Sequence, residues 1–210
     1  WQYNLNYFSW LFSKTPEQKI DQKTQLFLIL DWIVKNPSAR SETWEPYVIS
    51  KRLVAWSKWL RMYQDLVEPV RNCICRSMFS QLKRLVQDLE YHNQANHLFE
   101  NLAAMLVACL FLLQENFGFK ATLASMATRA SQELALQIEE QFFPDGGHYE
   151  RSPMYHCEML QALEEIDCSA KNVLKNQSID SFDSLCVSLN ELLEVGANKS
   201  ALARDWLVNL

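Results

Sequence analysis

All four histidines of this chain, His92, His97, His148 and His156, fall between positions 92 and 156, beside two segments dense in polar groups. The first reads Asn96-His97-Leu98-Phe99-Glu100-Asn101. On a helix starting near Asn96, His97 and Glu100 or Asn101 stand three and four positions apart and share a face. An Asn amide there could donate hydrogen bonds to a developing anion while the imidazole orients a group or accepts a proton. The plainer reading is an Asn that caps a helix. The second segment reads Asp145-Gly146-Gly147-His148-Tyr149-Glu150-Arg151-Ser152-Pro153-Met154-Tyr155-His156. It crowds ionisable and phenolic groups between a double-glycine turn and a helix start, where backbone N–H groups point outward and favour an anion. Packing alone does not call for that density. The structural alternative is an internal Glu150–Arg151 pair and a Tyr155 ring buried with its hydroxyl satisfied.

Other chemistries find little support. Twenty Lys plus Arg against twenty-five Asp plus Glu give a net charge of -5, so the overall field repels phosphate backbones and argues against a nucleic-acid partner. An anionic sugar is not excluded, because a local cluster of donors in a cleft decides its binding. The chain has no phosphate loop, dinucleotide glycine fingerprint, nucleophile elbow or His-Glu-x-x-His helix. Cys73-Ile74-Cys75 lacks the two-residue spacer of paired zinc thiolates, and no metal site or cofactor is read in this chain. The six cysteines are expected to be buried thiols rather than a disulfide framework, which leans mildly toward a reducing compartment. Trp44, Trp56 and Trp59 read as core or groove lining. A glycosidase would need two carboxylates across a sugar; Glu100 and Glu150 could be nominated, but Asn96 and Tyr155 would then have no role.

The elements that must position these groups are helices. Four Gly and six Pro in 210 residues are too few turns for many short strands, and 49% hydrophobic residues suffice for one sizeable core. A single all-α domain over 1–210 is expected. Large apolar residues recur at helical spacing from Tyr3 to Phe12, and Thr15-Pro16-Glu17 reads as the start of a helix running to Val34. Ile49, Leu53, Trp56, Leu60 and Tyr63 form the stripe of a third helix; Ile74, Met78, Leu82, Leu85 and Leu89 that of a fourth, from Glu68 to Tyr91. An apolar helix follows from Asn96 to about Leu113, then one from Lys120 to Phe143. Further helices are expected from Ser152 or Pro153 to Ile166, over Ser181–Val195 and over Ser200–Val208. Short connections make consecutive helices antiparallel neighbours. A stack of such hairpins is compatible with an α/α toroid, a solenoid or an irregular bundle. The longest apolar run, Leu102 to Leu113, is about half of a membrane span. The chain opens without an initiator Met, so the N-terminus is expected to be cut and the compartment stays open.

Four motifs in order carry a family resemblance: Tyr3-Asn4-Leu5-Asn6-Tyr7-Phe8; Trp44-Glu45-Pro46-Tyr47 with Ser50-Lys51-Arg52-Leu53 and Trp56; Leu89-Glu90-Tyr91-His92 with Asn96 to Asn101; and Asp145 to His156. Over residues 1–166 the chain resembles the heparinase II/III-like polysaccharide lyases. The resemblance implies an incomplete α/α toroid whose companion β-sandwich domain lies outside this chain. It implies β-elimination on a uronic-acid polysaccharide, heparin-like, alginate-like or a bacterial exopolysaccharide. Asn96 then matches the residue that neutralises the uronate carboxylate, Tyr155 the acid and base, and His97 a His beside the neutraliser. Arg151 and His148 become charge and positioning candidates, and Glu100, Glu150, His156, Trp44, Tyr47 and Arg52 further substrate contacts. A phenol of ordinary pKa about 10 is a poor base at neutral pH. Arg151, His156 and a helix N-terminus are expected to favour its phenolate. Family members commonly draw a His and, in several cases, a structural metal from the β domain, so this chain alone is expected to turn over substrate poorly. The family suggests the periplasm or export. The competing reading is a non-catalytic helical glycan-binding or scaffold module.

Overall fold

The computed structural model describes residues 2–13, 20–37, 42–93, 96–115, 117–176, 179 and 181–209. The chain divides into two compact units, Trp1–Leu89 and Glu90–Leu210. Among the described residues regular structure is helical, apart from one isolated antiparallel bridge between Phe142 and His148.

The first unit holds α1 (Gln2–Asn6), α2 (Gln22–Lys35), α3 (Pro46–Met62) and α4 (Glu68–Gln87), with 3-10 turns at Ser9–Phe12 and Glu42–Trp44. The single helix expected from Tyr3 to Phe12 breaks at Phe8, which takes a left-handed φ of 60°. That conformation costs an L-residue roughly 1–2 kcal/mol. The cost is offset by burying the Phe8 ring, which meets Trp32 and Trp56 edge-on at 6.3 and 5.3 Å. The expected start at Thr15-Pro16-Glu17 lies outside the described residues. α2 is capped instead by Asp21, whose carboxylate accepts from the backbone N–H groups of Lys23 and Thr24. The α3 and α4 stripes fold as their spacing requires: Ile49, Leu53, Trp56, Leu60, Ile74, Met78, Leu82 and Leu85 are all fully buried. α4 stops at Gln87, short of Tyr91, where Asp88 leaves helical geometry.

A polar knot lies inside this unit. Arg52 is fully buried. Its Nε donates to Gln81 Oε1 at 2.7 Å, Nη1 to the Asn6 carbonyl at 3.2 Å and Nη2 to the Thr43 carbonyl at 2.9 Å. The guanidinium lies 4.0 Å from the Trp32 ring centroid, and Trp32 donates its indole N–H to Asn6 Oδ1 at 2.7 Å. Burial pushes the Arg52 pKa down to about 9, so it stays charged at neutral pH. The residue ties α1, α3, α4 and the Glu42–Trp44 turn together. Its expected role as a substrate contact is therefore replaced by an internal one, since its donors already have acceptors.

The second unit is built from α5 (Asn96–Gln114), α6 (Lys120–Gln141), α7 (Pro153–Lys175) and α8 (Asp183–Val208). α5 packs against α6 and α7, and α8 packs against the same two helices. α5 is long and apolar enough to cross a membrane, but 94% of its apolar window is buried in the protein. A helix apolar on every face is what a core position demands. α7 and α8 both outrun the sequence reading: α7 continues to Lys175, and the two helices expected after Ser181 are one. Gly196 does not interrupt α8, because Leu185, Leu189, Leu192 and Ala203 continue one buried stripe past it. Packing of that stripe outweighs the ~1 kcal/mol that glycine costs a helix interior.

No disulfide occurs among the described residues. Cys75 and Cys109 are buried as expected, and burial pushes the Cys109 thiol pKa up. Cys73, Cys157 and Cys168 are exposed instead, because they fall off the buried stripes of α4 and α7.

Candidate active site

Asn96 is the first residue of α5. It is nearly buried, at 8% exposure, and its side-chain amide makes no hydrogen bond to any described residue. The next residue, His97, places Nδ1 3.0 Å from Glu90 Oε1. The other Glu90 oxygen accepts from Asn101 Nδ2 at 3.0 Å, and Asn101 Oδ1 accepts from the Glu90 backbone N–H at 3.0 Å. Glu90 and Asn101 thus clasp each other twice, and the clasp aims the carboxylate at His97. Glu100 sits one turn into the helix and is buried. The adjacent Tyr91 is tied to α6: its hydroxyl donates to Glu133 Oε2 at 2.5 Å and accepts from Arg129 Nη2 at 2.7 Å. Glu90 and Tyr91 are therefore anchored to two different helices of the unit.

The second segment leaves α6 through a short hairpin. Phe143 N–H donates to the Gly147 carbonyl and Tyr149 N–H to the Gln141 carbonyl, each at 2.9 Å. Gly146, with φ of +90°, makes the reversal. His148 is buried at 1% exposure, with Nε2 3.1 Å from Gln141 Oε1 and Nδ1 accepting from the Glu150 backbone N–H at 3.4 Å. His156 is wholly buried, and its Nδ1 accepts from His148 N–H at 3.2 Å. Its Nε2 donates to the Ala203 carbonyl at 2.9 Å, and its ring stacks on Trp206 at 4.6 Å. Both imidazoles therefore serve as internal struts. The hairpin and α8 consume their hydrogen bonds, so their expected role as substrate contacts is corrected.

The burial of His148 makes the fold sensitive to acid. Burial, reinforced by His156, pushes its pKa down to about 4, against an ordinary value of about 6.5. Between those values the unfolded chain binds the proton and the folded chain does not, so stability rises with pH there and is lost on acidification. The full effect is at most about 3 kcal/mol. Urea unfolding at intervals from about pH 7 to about pH 4 should show a steeper loss for the natural chain than for His148→Gln. Parallel curves would contradict this role of His148.

Beyond these struts the chain turns outward. Arg151 adopts φ of 51°, held by its N–H donating to the His148 carbonyl at 2.9 Å. Its guanidinium is exposed and has no ion-pair partner among the described residues, so the internal Glu150–Arg151 pair does not form. Ser152 caps α7 by accepting from the Tyr155 N–H, and Pro153 occupies the first turn. Tyr155 is half-buried in that turn, and its hydroxyl bonds to no described residue. Glu150 joins the two segments. Burial raises its carboxyl pKa, the charge of His97 acts to lower it, and Glu158 of α7 raises it further. Glu150 therefore lies within electrostatic reach of the starts of both α5 and α7, and its Oε2 is buried without a hydrogen-bond partner. An imidazole at the start of α5 and a carboxylate of α7 thus both act on the Glu150 carboxyl.

Trp44 and Tyr47 belong to the first unit. Trp44 is 7% exposed and lies against Trp32 at 6.1 Å. It lines an open cleft of about 710 Å³ together with Asn36, Glu68, Asn72, Arg76 and Ser80. Tyr47 meets Tyr7 edge-on at 5.9 Å and carries the Lys51 ammonium 5.2 Å from its ring. Groove lining suits Trp44, and an aromatic shelf suits Tyr47. Among the described residues no three His, Cys, Asp or Glu side chains gather as a metal site would require.

Sequence reasoning missed Glu90 and Asn101 as a unit, and missed Gln141, Ala203 and Trp206 as the partners of the two buried histidines. The Leu89-Glu90-Tyr91-His92 motif was the one available signal for Glu90.

Residues 3–185 match the family model described as Heparinase II/III N-terminus. Among solved structures the chain is similar to heparinase III, with a TM-score of 0.59 and 19% sequence identity, covering 93% of this chain and 28% of that one. At that identity the likeness speaks to fold: all-α, in the class of the α/α toroid at the N-terminus of heparinase III. The chain spans little more than a quarter of that protein's length. The comparison with curated proteins gives no match.

Proposed function

The chain belongs to the heparinase II/III N-terminus family, and from that premise we propose that it supplies the helical half of a polysaccharide lyase site that cleaves a uronic-acid polysaccharide by β-elimination. The observation that supports this reading is that Glu150, next to Arg151, lies within electrostatic reach of both His97 at the start of α5 and Glu158 of α7. In the reaction the Asn96 amide donates to the uronate carboxylate, which withdraws electrons from the neighbouring C5–H bond. Tyr155, as the phenolate, takes the C5 proton, the electron pair forms the C4–C5 double bond, the C4–O bond breaks, and Tyr155 passes the proton to the departing oxygen. His97 faces the same carboxylate or proton path. Arg151 holds the sugar acid by charge.

Two features of the structure support this assignment. The Asn96 amide and the Tyr155 hydroxyl, like the Arg151 guanidinium and Glu150 Oε2, make no hydrogen bond within the protein among the described residues. Groups that serve packing, such as His148 and His156, have theirs satisfied. The test is an ultraviolet assay of the full gene product on heparin-like, alginate-like and other uronate polysaccharides. A rising absorbance from unsaturated uronate ends is expected on at least one. Binding without any cleavage would favour a glycan-binding module, and new reducing ends without absorbance would favour hydrolysis.

A further inference from the structure

The lyase reading names the groups that meet substrate but leaves open what sets the tautomer of His97. We infer that Glu90 is the positioning residue of this site: its carboxylate, clasped by Asn101, holds His97 in the Nδ1–H tautomer and so presents the lone pair on Nε2. The role rests on the proposed function of His97, but its geometry can be read without substrate.

A carboxylate oxygen accepts hydrogen bonds and has none to give, so at 3.0 Å the proton shared by His97 Nδ1 and Glu90 Oε1 belongs on Nδ1. A neutral imidazole with Nδ1 protonated carries its acceptor pair on Nε2. The carboxylate cannot swing away, because Asn101 binds it from one side and the Glu90 N–H binds Asn101 from the other, both at 3.0 Å. Asn101 is itself fully buried in α5, one turn beyond His97. The next residue along the loop, Tyr91, is bolted to Glu133 and Arg129 of α6. His97 is thereby set apart from the buried histidines, both of which use Nε2 toward a protein oxygen and Nδ1 toward a backbone N–H. One histidine of the unit is held with its proton on Nδ1, and two are locked in the opposite tautomer as struts.

The experiment is a two-bond proton–nitrogen correlation spectrum of the 210-residue chain labelled with ¹⁵N in histidine, recorded where imidazoles are neutral. His97 is expected to show the Nδ1–H pattern, and His148 and His156 the Nε2–H pattern. In Glu90→Ala, His97 should revert to the Nε2–H form that free imidazole prefers, while His148 and His156 stay unchanged and report an intact fold. Glu90→Gln keeps an acceptor oxygen and should largely preserve Nδ1–H. In the full gene product Glu90→Ala should lower kcat at least about 10-fold with KM little changed, as orienting carboxylates do elsewhere. An Nε2–H His97 in the unaltered chain, or an Nδ1–H His97 that survives Glu90→Ala, would overturn the assignment. Because the spectrum needs no substrate, absence of lyase activity would overturn the catalytic reading alone.

Discussion

Tyr155→Phe in the full gene product is expected to lower kcat for uronate polysaccharide cleavage by about 10²- to 10⁴-fold, the usual worth of a general acid–base group. KM should move little, since the change removes one oxygen that acts in proton transfer and leaves the ring in place. The hydroxyl bonds to no described residue, so the protein loses no internal contact with it. A melting temperature within a degree or so of the natural chain is the matching expectation, because a surface-type change typically stays within about 0.5 kcal/mol. Initial rates by ultraviolet absorbance and a thermal melt of the same samples check both halves. An unaltered rate would remove Tyr155 from the chemistry, and a collapsed melt would mean that its ring and hydroxyl serve packing.

The second large effect concerns the turn that builds the site. Gly146 stands at φ of +90°, and a Cβ placed there would come within 2.3 Å of the Leu202 backbone carbon and oxygen in α8. Backbone cannot rotate away as a side chain does. Left-handed strain of about 1–2 kcal/mol then adds to overpacking of about 1–3 kcal/mol. Gly146→Ala should therefore destabilise the second unit by at least about 3 kcal/mol, near the upper end for single substitutions. Gly118→Ala is the control: it has a similar φ of +95° with nothing within 4 Å of the added carbon, so strain alone applies. Denaturant melts of the two variants should differ accordingly. Equal losses would mean that the α8 contact is soft, and with it the anchoring of the 142–156 hairpin.

Much of the fold was legible because it rests on periodicity. The stripes of α3, α4 and α5 follow from residues three and four apart, and the α7 start follows from Ser152 and Pro153. The places that escaped are those where packing overrules local preference. Phe8 breaks the first helix to bury its ring, and α8 carries Gly196 through its middle because a continuous buried stripe holds it. In the site, residue types pointed to two segments but not to which of their members face outward. His148 and His156 looked like substrate-positioning and substrate-contact residues by type. They prove to be struts because Gln141, Ala203 and Trp206, up to 47 positions away in the hydrogen-bonded pairs, supply their partners. Arg52 looked like a basic contact in a motif, and a buried acceptor set takes its donors. Glu90 went unnominated because the chain turns between it and His97, so no helical spacing links the two.

The central claim is that the amide at the start of α5 and the phenol at the start of α7 act on one sugar in one step. A double-mutant cycle on lyase rate in the full gene product addresses it directly, with Asn96→Ala, Tyr155→Phe and the pair. Groups that serve the same transition state are strongly non-additive. The double variant is expected to be little slower than the slower of the two singles. Losses that multiply through, or a single variant that retains the natural rate, would contradict a shared site.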